Sequence, residues 1–306
     1  MQDNSTFKKT IPICIRRAGL KLCYQLATPD VAKSPLLTAY QGKLKEGFKR
    51  LRELGYDGAE LMVRDPEQLD LREIVRIAQR NNIDLPMLCT GEVYGQDKLS
   101  LIDRHEETRK LTFQRIRKFV DIASSLSAQV NIGRVRGQFY SDIPKGTSYR
   151  WAIDAFKMIA DYAEKKNVTI ALEPINILQC NFINTTHEAI QIGKEISSER
   201  FKIMLDLFHM HIEDKDIGQS IKESKDCVSY VHLTDSNRRI PGSCKINFKD
   251  VLLKLTGIGY DGPLGVEVFQ IPDQDTAMKE SIKYLKPILN YLDLKNSRER
   301  KIEKNK

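Results

Sequence analysis

Four short apolar runs, VTIALE, FKIMLD, VSYVH and GPLGVE, each end on a residue able to ligate a metal: Glu173, Asp206, His232 and Glu267. Three carboxylates and one imidazole supply oxygen and nitrogen donors suited to Mn, Co, Mg or Zn, without the thiolates that favour a closed structural zinc site. Such a set leaves coordination positions open for a substrate. A charged group at the end of a buried strand is expensive unless it is paired or binds a metal. Singly, each of the four reads equally well as a rim ion pair; together they read as a site.

The separations of 33, 26 and 35 residues are each near one strand plus one helix. A barrel of parallel strands brings such strand ends to one rim, where the catalytic groups of these barrels sit. Upstream, KLCYQLA, DGAELMV, DLPMLCT and QVNIGRV read as strands one to four. Between the strands lie GKLKEGFKRLRELG, closed by Gly55 as C-cap, then LREIVRIAQRNN, then helices over Asp103 to Ala128 and Tyr149 to Asn167. Helices five to eight are expected to begin near Thr186, Asp214, Phe248 and Asp275. Eight strand-helix units predict an α/β fold, a single (β/α)8 TIM barrel over residues 20–294. A polar extension (1–19) precedes it, and a basic tail (295–306), disordered or frayed from the last helix, follows. A doubly wound open sheet shows the same alternation. Here, however, the first strand leads into ATPDVAKSP and not into a glycine-rich phosphate turn.

A net charge of +8 raises the question of nucleic acid or an anionic membrane. Its distribution answers it: residues 1–19 carry +3 and residues 295–306 carry +4, which leaves +1 for everything between. A nucleic-acid surface needs basic groups clustered on the folded body, so neither nucleic acid nor membrane is expected as a partner. The six cysteines are scattered without a CxxC pair, as reduced cytosolic thiols would be. The apolar patch IPICI is too short for a signal peptide, and no run approaches a membrane span. These features predict a soluble, cytoplasmic protein.

In its C-terminal half the chain resembles the xylose isomerase-like barrel superfamily, and within it the ketose 3-epimerases of the D-tagatose 3-epimerase type. An LEP-x-N segment followed by N-x-x-NT is matched by Leu172, Glu173, Pro174, Asn176, Asn181, Asn184 and Thr185. A D-x-F-H-M segment is matched by Asp206, Phe208, His209 and Met210, and H-x-x-D-S-N-R followed by P-G by His232, Asp235, Ser236, Asn237, Arg238, Pro241 and Gly242. Glu267 matches the family's last-strand glutamate. In the N-terminal half, VRDP, TGEVY and IGRVRG look similar to a subgroup acting on keto-sugars and keto-sugar acids.

The resemblance implies that Glu173, Asp206, His232 and Glu267 bind one divalent metal, most often Mn. It implies too that His209 and Arg238 hold substrate oxygens, with Arg136 and Gln179 as further substrate contacts. The reaction implied is inversion at C3 of a ketose or keto-sugar acid through a metal-bound cis-enediolate, with Glu173 and Glu267 as the acid/base pair. A small sugar is the expected partner, and a homodimer or homotetramer the expected assembly.

Several positions depart from the pattern. Gln179 stands where many of these enzymes place a second glutamate, GSCKINF replaces a glycine-rich loop that reaches an aspartate, and His211 stands where asparagine is frequent. Arg64, Arg134, Arg136 and Arg238 near strand ends suggest an anionic sugar, or equally rim salt bridges. The closest alternative is aldose-ketose or hydroxypyruvate isomerisation, which moves the proton to another carbon. An apurinic-site endonuclease needs a three-zinc cluster with more histidines than the five present, and none of these lies in 239–248. A noncatalytic sugar-binding barrel is the remaining reading.

Overall fold

The computed structural model describes residues 20–304. Eight parallel strands close into a barrel in sequence order: β1 (Lys21–Ala27), β2 (Gly58–Met62), β3 (Asp84–Cys89), β4 (Gln129–Ile132), β5 (Ile170–Leu172), β6 (Phe201–Asp206), β7 (Val228–His232) and β8 (Pro263–Val266), with β8 pairing β1. The strands are buried on both faces, which explains why they read as nearly continuous apolar runs without alternation.

Helices cover the outside: α1 (Leu44–Leu54), α2 (Leu71–Asn81), α3 (Gly91–Gly95), α4 (Glu106–Leu126), α5 (Lys145–Lys166), α6 (Thr186–Ile196), α7 (Leu207–Glu213), α8 (Ile217–Glu223), α9 (Phe248–Gly257) and α10 (Gln274–Lys304). Local chemistry sets their ends. Gly55 closes α1 in the left-handed conformation, with φ 88°. Asp70 caps α2 by accepting from the Glu73 amide, and Thr185 with Glu188 forms a capping box on α6. Among the described residues no helix is long and apolar enough to cross a membrane.

The strands fall where their sequence runs place them, and three helical features differ. The helix after β4 begins at Lys145, a turn ahead of Tyr149. Chain between β3 and α4, unassigned from sequence, contains the short α3. The helix expected near Asp214 is α8, capped by Asp216, and ahead of it a further helix, α7, starts at once at Leu207 because Asp206 is its N-cap: Oδ1 accepts from the amides of Phe208 (2.7 Å) and His209 (3.3 Å). The extension at 1–19 lies outside the described residues, and α10 runs on past residue 295 to Lys304.

The main apolar core lies between the helices and the outer barrel face, and Met87, Ala171, Met204 and Tyr230 form a separate buried cluster. Gly265 on β8 is required by this packing. A Cβ there would come 2.8 Å from the Tyr230 hydroxyl and 2.9 Å from Glu60 Oε2.

Candidate active site

Glu173 follows β5, Asp206 and His232 end β6 and β7, and Glu267 follows β8, so the barrel carries all four to its C-terminal rim. One ligand atom from each lies within 4.8 Å of all the others, and all four residues are buried. His232 Nδ1 is the hub, at 3.3 Å from a Glu267 oxygen, 3.5 Å from Asp206 Oδ2 and 3.6 Å from Glu173 Oε1.

The other face of that ring is fixed by a residue the sequence did not single out. Glu60, in the middle of β2 and fully buried, places Oε2 2.8 Å from His232 Nε2. Nε2 therefore carries the proton, and Nδ1 turns a lone pair toward three carboxylate oxygens. In the protein alone that arrangement calls for a proton. Burial opposes charging the imidazole, but Glu60 and Glu267 outweigh it and hold His232 well above its usual range. His232 Nδ1 and Asp206 Oδ2 are nonetheless buried without a hydrogen-bond partner. A divalent cation among the four residues satisfies both atoms, so the donor set fits a metal on its geometry as well as on its chemistry.

Each carboxylate is split between two tasks. Asp206 caps α7 with Oδ1 and leaves Oδ2 for the cluster; burial, opposed by His232, raises its carboxyl. Glu173 accepts from Asn131 Nδ2 with Oε2 at 2.8 Å. Glu267 accepts from Thr38 Oγ1 with Oε1 and from Arg238 with Oε2, both at 2.9 Å. Although burial pushes its carboxyl up, Arg238 and His232 prevail and hold Glu267 well below the usual carboxylate range. Thr38 also reaches Gln25, and Gln25 Nε2 donates to Glu60 Oε1 at 2.9 Å. Side chains from the two ends of the chain thus join Glu267 to the back of His232.

His209, one turn into α7, is buried beside the cluster. Desolvation and the neighbouring Arg238 push its pKa well below the ordinary value, so it is neutral. The Asn176 amide meets its Nδ1 at 2.7 Å, which leaves Nε2 as the N–H face. Arg238 adopts φ 55°, a strained value for a side-chain-bearing residue, and is clamped there by the loop after β7. Buried Asp235 builds that loop, accepting from the amides of Ser236, Gly242, Cys244 and Ile246, while Asn247 caps α9.

A cavity of about 350 Å³ opens over these groups, lined by Glu173, Glu267, His209, Arg238 and Gln179 together with Glu92, Arg134, Tyr94, Cys89 and an apolar wall including Leu37, Met62 and Phe269. Burial, then Glu60, Glu267 and Glu173, push the Cys89 thiol well up, so it stays protonated. Arg136 is not brought to the cavity. It is fully buried and donates to the carbonyls of Phe182, Gly133, Glu173 and Ile183, which binds these loops together. Arg64 likewise pairs with Asp97 at 2.9 Å. Glu60, Asn131, Gln25 and Thr38 are the functional positions missed from sequence. A lone carboxylate inside the apolar run GAELM was the available signal for Glu60.

A family model described as xylose isomerase-like TIM barrel matches residues 48–288. An L-ribulose 3-epimerase of Mesorhizobium japonicum is 26% identical over 247 residues, covering 79% of this chain and 82% of the relative. A 3-dehydro-D-guloside 4-epimerase of Escherichia coli is 24% identical over 252 residues, covering 79% and 93%. Among solved structures, an L-ribulose 3-epimerase superposes with a TM-score of 0.77 at 18% identity, over 91% of this chain and 97% of the other.

Proposed function

The chain belongs to the xylose isomerase-like TIM barrel family, and we propose that it is a metal-dependent ketose 3-epimerase. The observation that carries this reading is the pair of cavity-lining glutamates, three strands apart around the barrel, each with one oxygen in the ligand cluster and the other on a neutral donor. Both relatives above are named for inverting the carbon next to a ketone, and that is chemistry two opposed carboxylates can perform.

The cation, Mn by preference for so oxygen-rich a set, would be held by Glu173, Asp206, His232 and Glu267 and would supply the positive charge that acidifies the hydrogen on the carbon beside the ketone. Everything else falls to the chain. His209 Nε2–H and the Arg238 guanidinium donate to sugar oxygens at the cavity floor, and Arg238 adds positive charge where negative charge develops. Glu267, held ionised by Arg238, accepts the carbon-bound proton on one face, and Glu173, oriented by Asn131 and starting as the protonated acid, delivers its own proton to the other; exchange with solvent then returns the two carboxyls to their starting states. Thr38 steadies the Glu267 oxygen that faces away from Arg238. The apolar wall of Leu37, Met62 and Phe269 limits the water that could compete for the proton.

The same reading makes the protein a cytoplasmic enzyme that assembles as a dimer or tetramer. Glu267→Gln tests the function against a noncatalytic sugar-binding barrel. With a panel of ketoses and Mn, turnover should fall about 10²–10⁴-fold while metal and ketose still bind. A wild-type chain that binds ketose and converts none of the panel would contradict the proposal.

A further inference from the structure

Each cationic side chain lining the cavity faces a carboxylate of the protein itself. Arg238 meets Glu267 at 2.9 Å, and Arg134 meets Glu92 at 2.5 Å, while His209 is neutral. The second pair takes no part in the proton transfer described above, yet it is built with care. Glu92 is only 4% exposed, whereas the Arg134 side chain is 34% exposed and borders the cavity. Glycines make room for both partners. A Cβ at Gly95 would come 2.8 Å from Glu92 Oε2, and one at Gly91 would come 3.4 Å from Arg134 Nη2. Arg134 also starts beside the reacting groups, because a Cβ at the preceding Gly133 would lie 2.6 Å from Glu173 Oε2.

We propose that the Glu92–Arg134 pair is a charge gate that restricts the cavity to uncharged sugars. This inference rests on the ketose-epimerase reading and deepens it. A carboxylated or phosphorylated sugar needs an arginine with free donors, and Arg134 is the cavity arginine exposed enough to serve. Pairing with it means drawing on a guanidinium that already gives its Nη2–H to Glu92, and sharing that charge weakens the partner of a buried carboxylate, which is unfavourable. Leaving the pair intact places the substrate's anion near the carboxylates of Glu92, Glu173 and Glu267. Either route penalises the anion. Glu92→Gln keeps the shape of the side chain and removes its charge, so the guanidinium becomes available to a carboxylate or phosphate in the two-pronged geometry that arginine favours.

The test compares D-fructose with D-fructose 6-phosphate on the full chain with Mn, by kcat/KM and by calorimetric Kd, in wild type, Glu92→Gln and the double variant Glu92→Gln/Arg134→Gln. Wild type should favour the neutral sugar by about a hundredfold or more. Glu92→Gln should narrow that preference about ten- to hundredfold, through KM and Kd for the phosphate, as expected for one new charge-assisted contact. The double variant should restore it. A wild type that prefers the phosphate overturns the gate without any variant. So does a Glu92→Gln protein, melting like wild type, whose preference stays within twofold of wild type, and so does a narrowing that survives the loss of Arg134. If neither sugar turns over, the Kd ratio still tests the gate and only the epimerase reading falls; if neither binds, both fall.

Discussion

Replacing Glu60 by Gln should weaken metal binding although Glu60 is not itself a ligand. Its Oε2 accepts from His232 Nε2 at 2.8 Å inside the barrel, and its Oε1 accepts from Gln25 at 2.9 Å. The negative charge behind the ring makes Nδ1 a stronger donor and fixes the ring's rotation. Glutamine retains a carbonyl oxygen for Nε2–H, so the geometry survives and the charge is lost. Its amide would face Gln25 Nε2, and both are donors; Gln25 can flip, presenting its oxygen to residue 60 and its amide to the Thr38 hydroxyl. The change therefore exchanges one charge-assisted hydrogen bond, worth about 1.5–3 kcal/mol, for a neutral one of about 0.5–1.5 kcal/mol. Referred to deprotonated His232, since Glu60 also favours the competing proton, a net loss of about 1–2 kcal/mol corresponds to roughly five- to thirtyfold in Kd, at about 1.4 kcal/mol per decade. Competition between the protein and a fluorescent chelator for Mn measures it, with the melting temperature of the metal-free protein as a control for folding. A variant that binds Mn within twofold of wild type would refute the reasoning that Glu60 tunes His232.

In the metal-free protein His232 is held well above its usual pKa and is protonated at pH 7, so metal binding should release about one proton and tighten about tenfold per pH unit until that pKa is passed. Calorimetry in buffers of different ionisation enthalpy reads the proton; an enthalpy independent of buffer contradicts the assignment. Arg136→Met should cost at least about 3 kcal/mol of stability in urea unfolding, because it strips donors from four carbonyls in a buried loop junction. If it instead leaves stability intact and raises KM alone, Arg136 is a substrate contact after all.

Sequence and structure agree best where chemistry is local. The eight strands were legible because each is a short apolar run bounded by turn residues, and the ligands because each follows or ends such a run. Helix ends set by nearby residues, as by Gly55 after α1 and by Thr185 with Glu188 at the start of α6, were legible too. The start of α7 was not, because its cap, Asp206, serves the ligand cluster at the same time. Glu60 and Asn131 lie within strands and meet His232 and Glu173 across 172 and 42 residues, and only closure of the barrel shows that their side chains point inward. Arg136 and Arg134 are two residues apart at the end of β4, and their different fates follow from the intervening 3-10 turn, which buries one and leaves the other at the cavity.

The proton-transfer claim is tested most directly by incubating the protein with Mn and D-fructose in deuterated water and locating the deuterium. The two-glutamate account predicts label at C3 of both epimers, with no label when Glu173 and Glu267 are both changed to Gln. Label confined to C1 or C2 of an aldose product would make the enzyme an isomerase, and conversion without any deuterium uptake would contradict proton transfer through exchangeable carboxylates altogether.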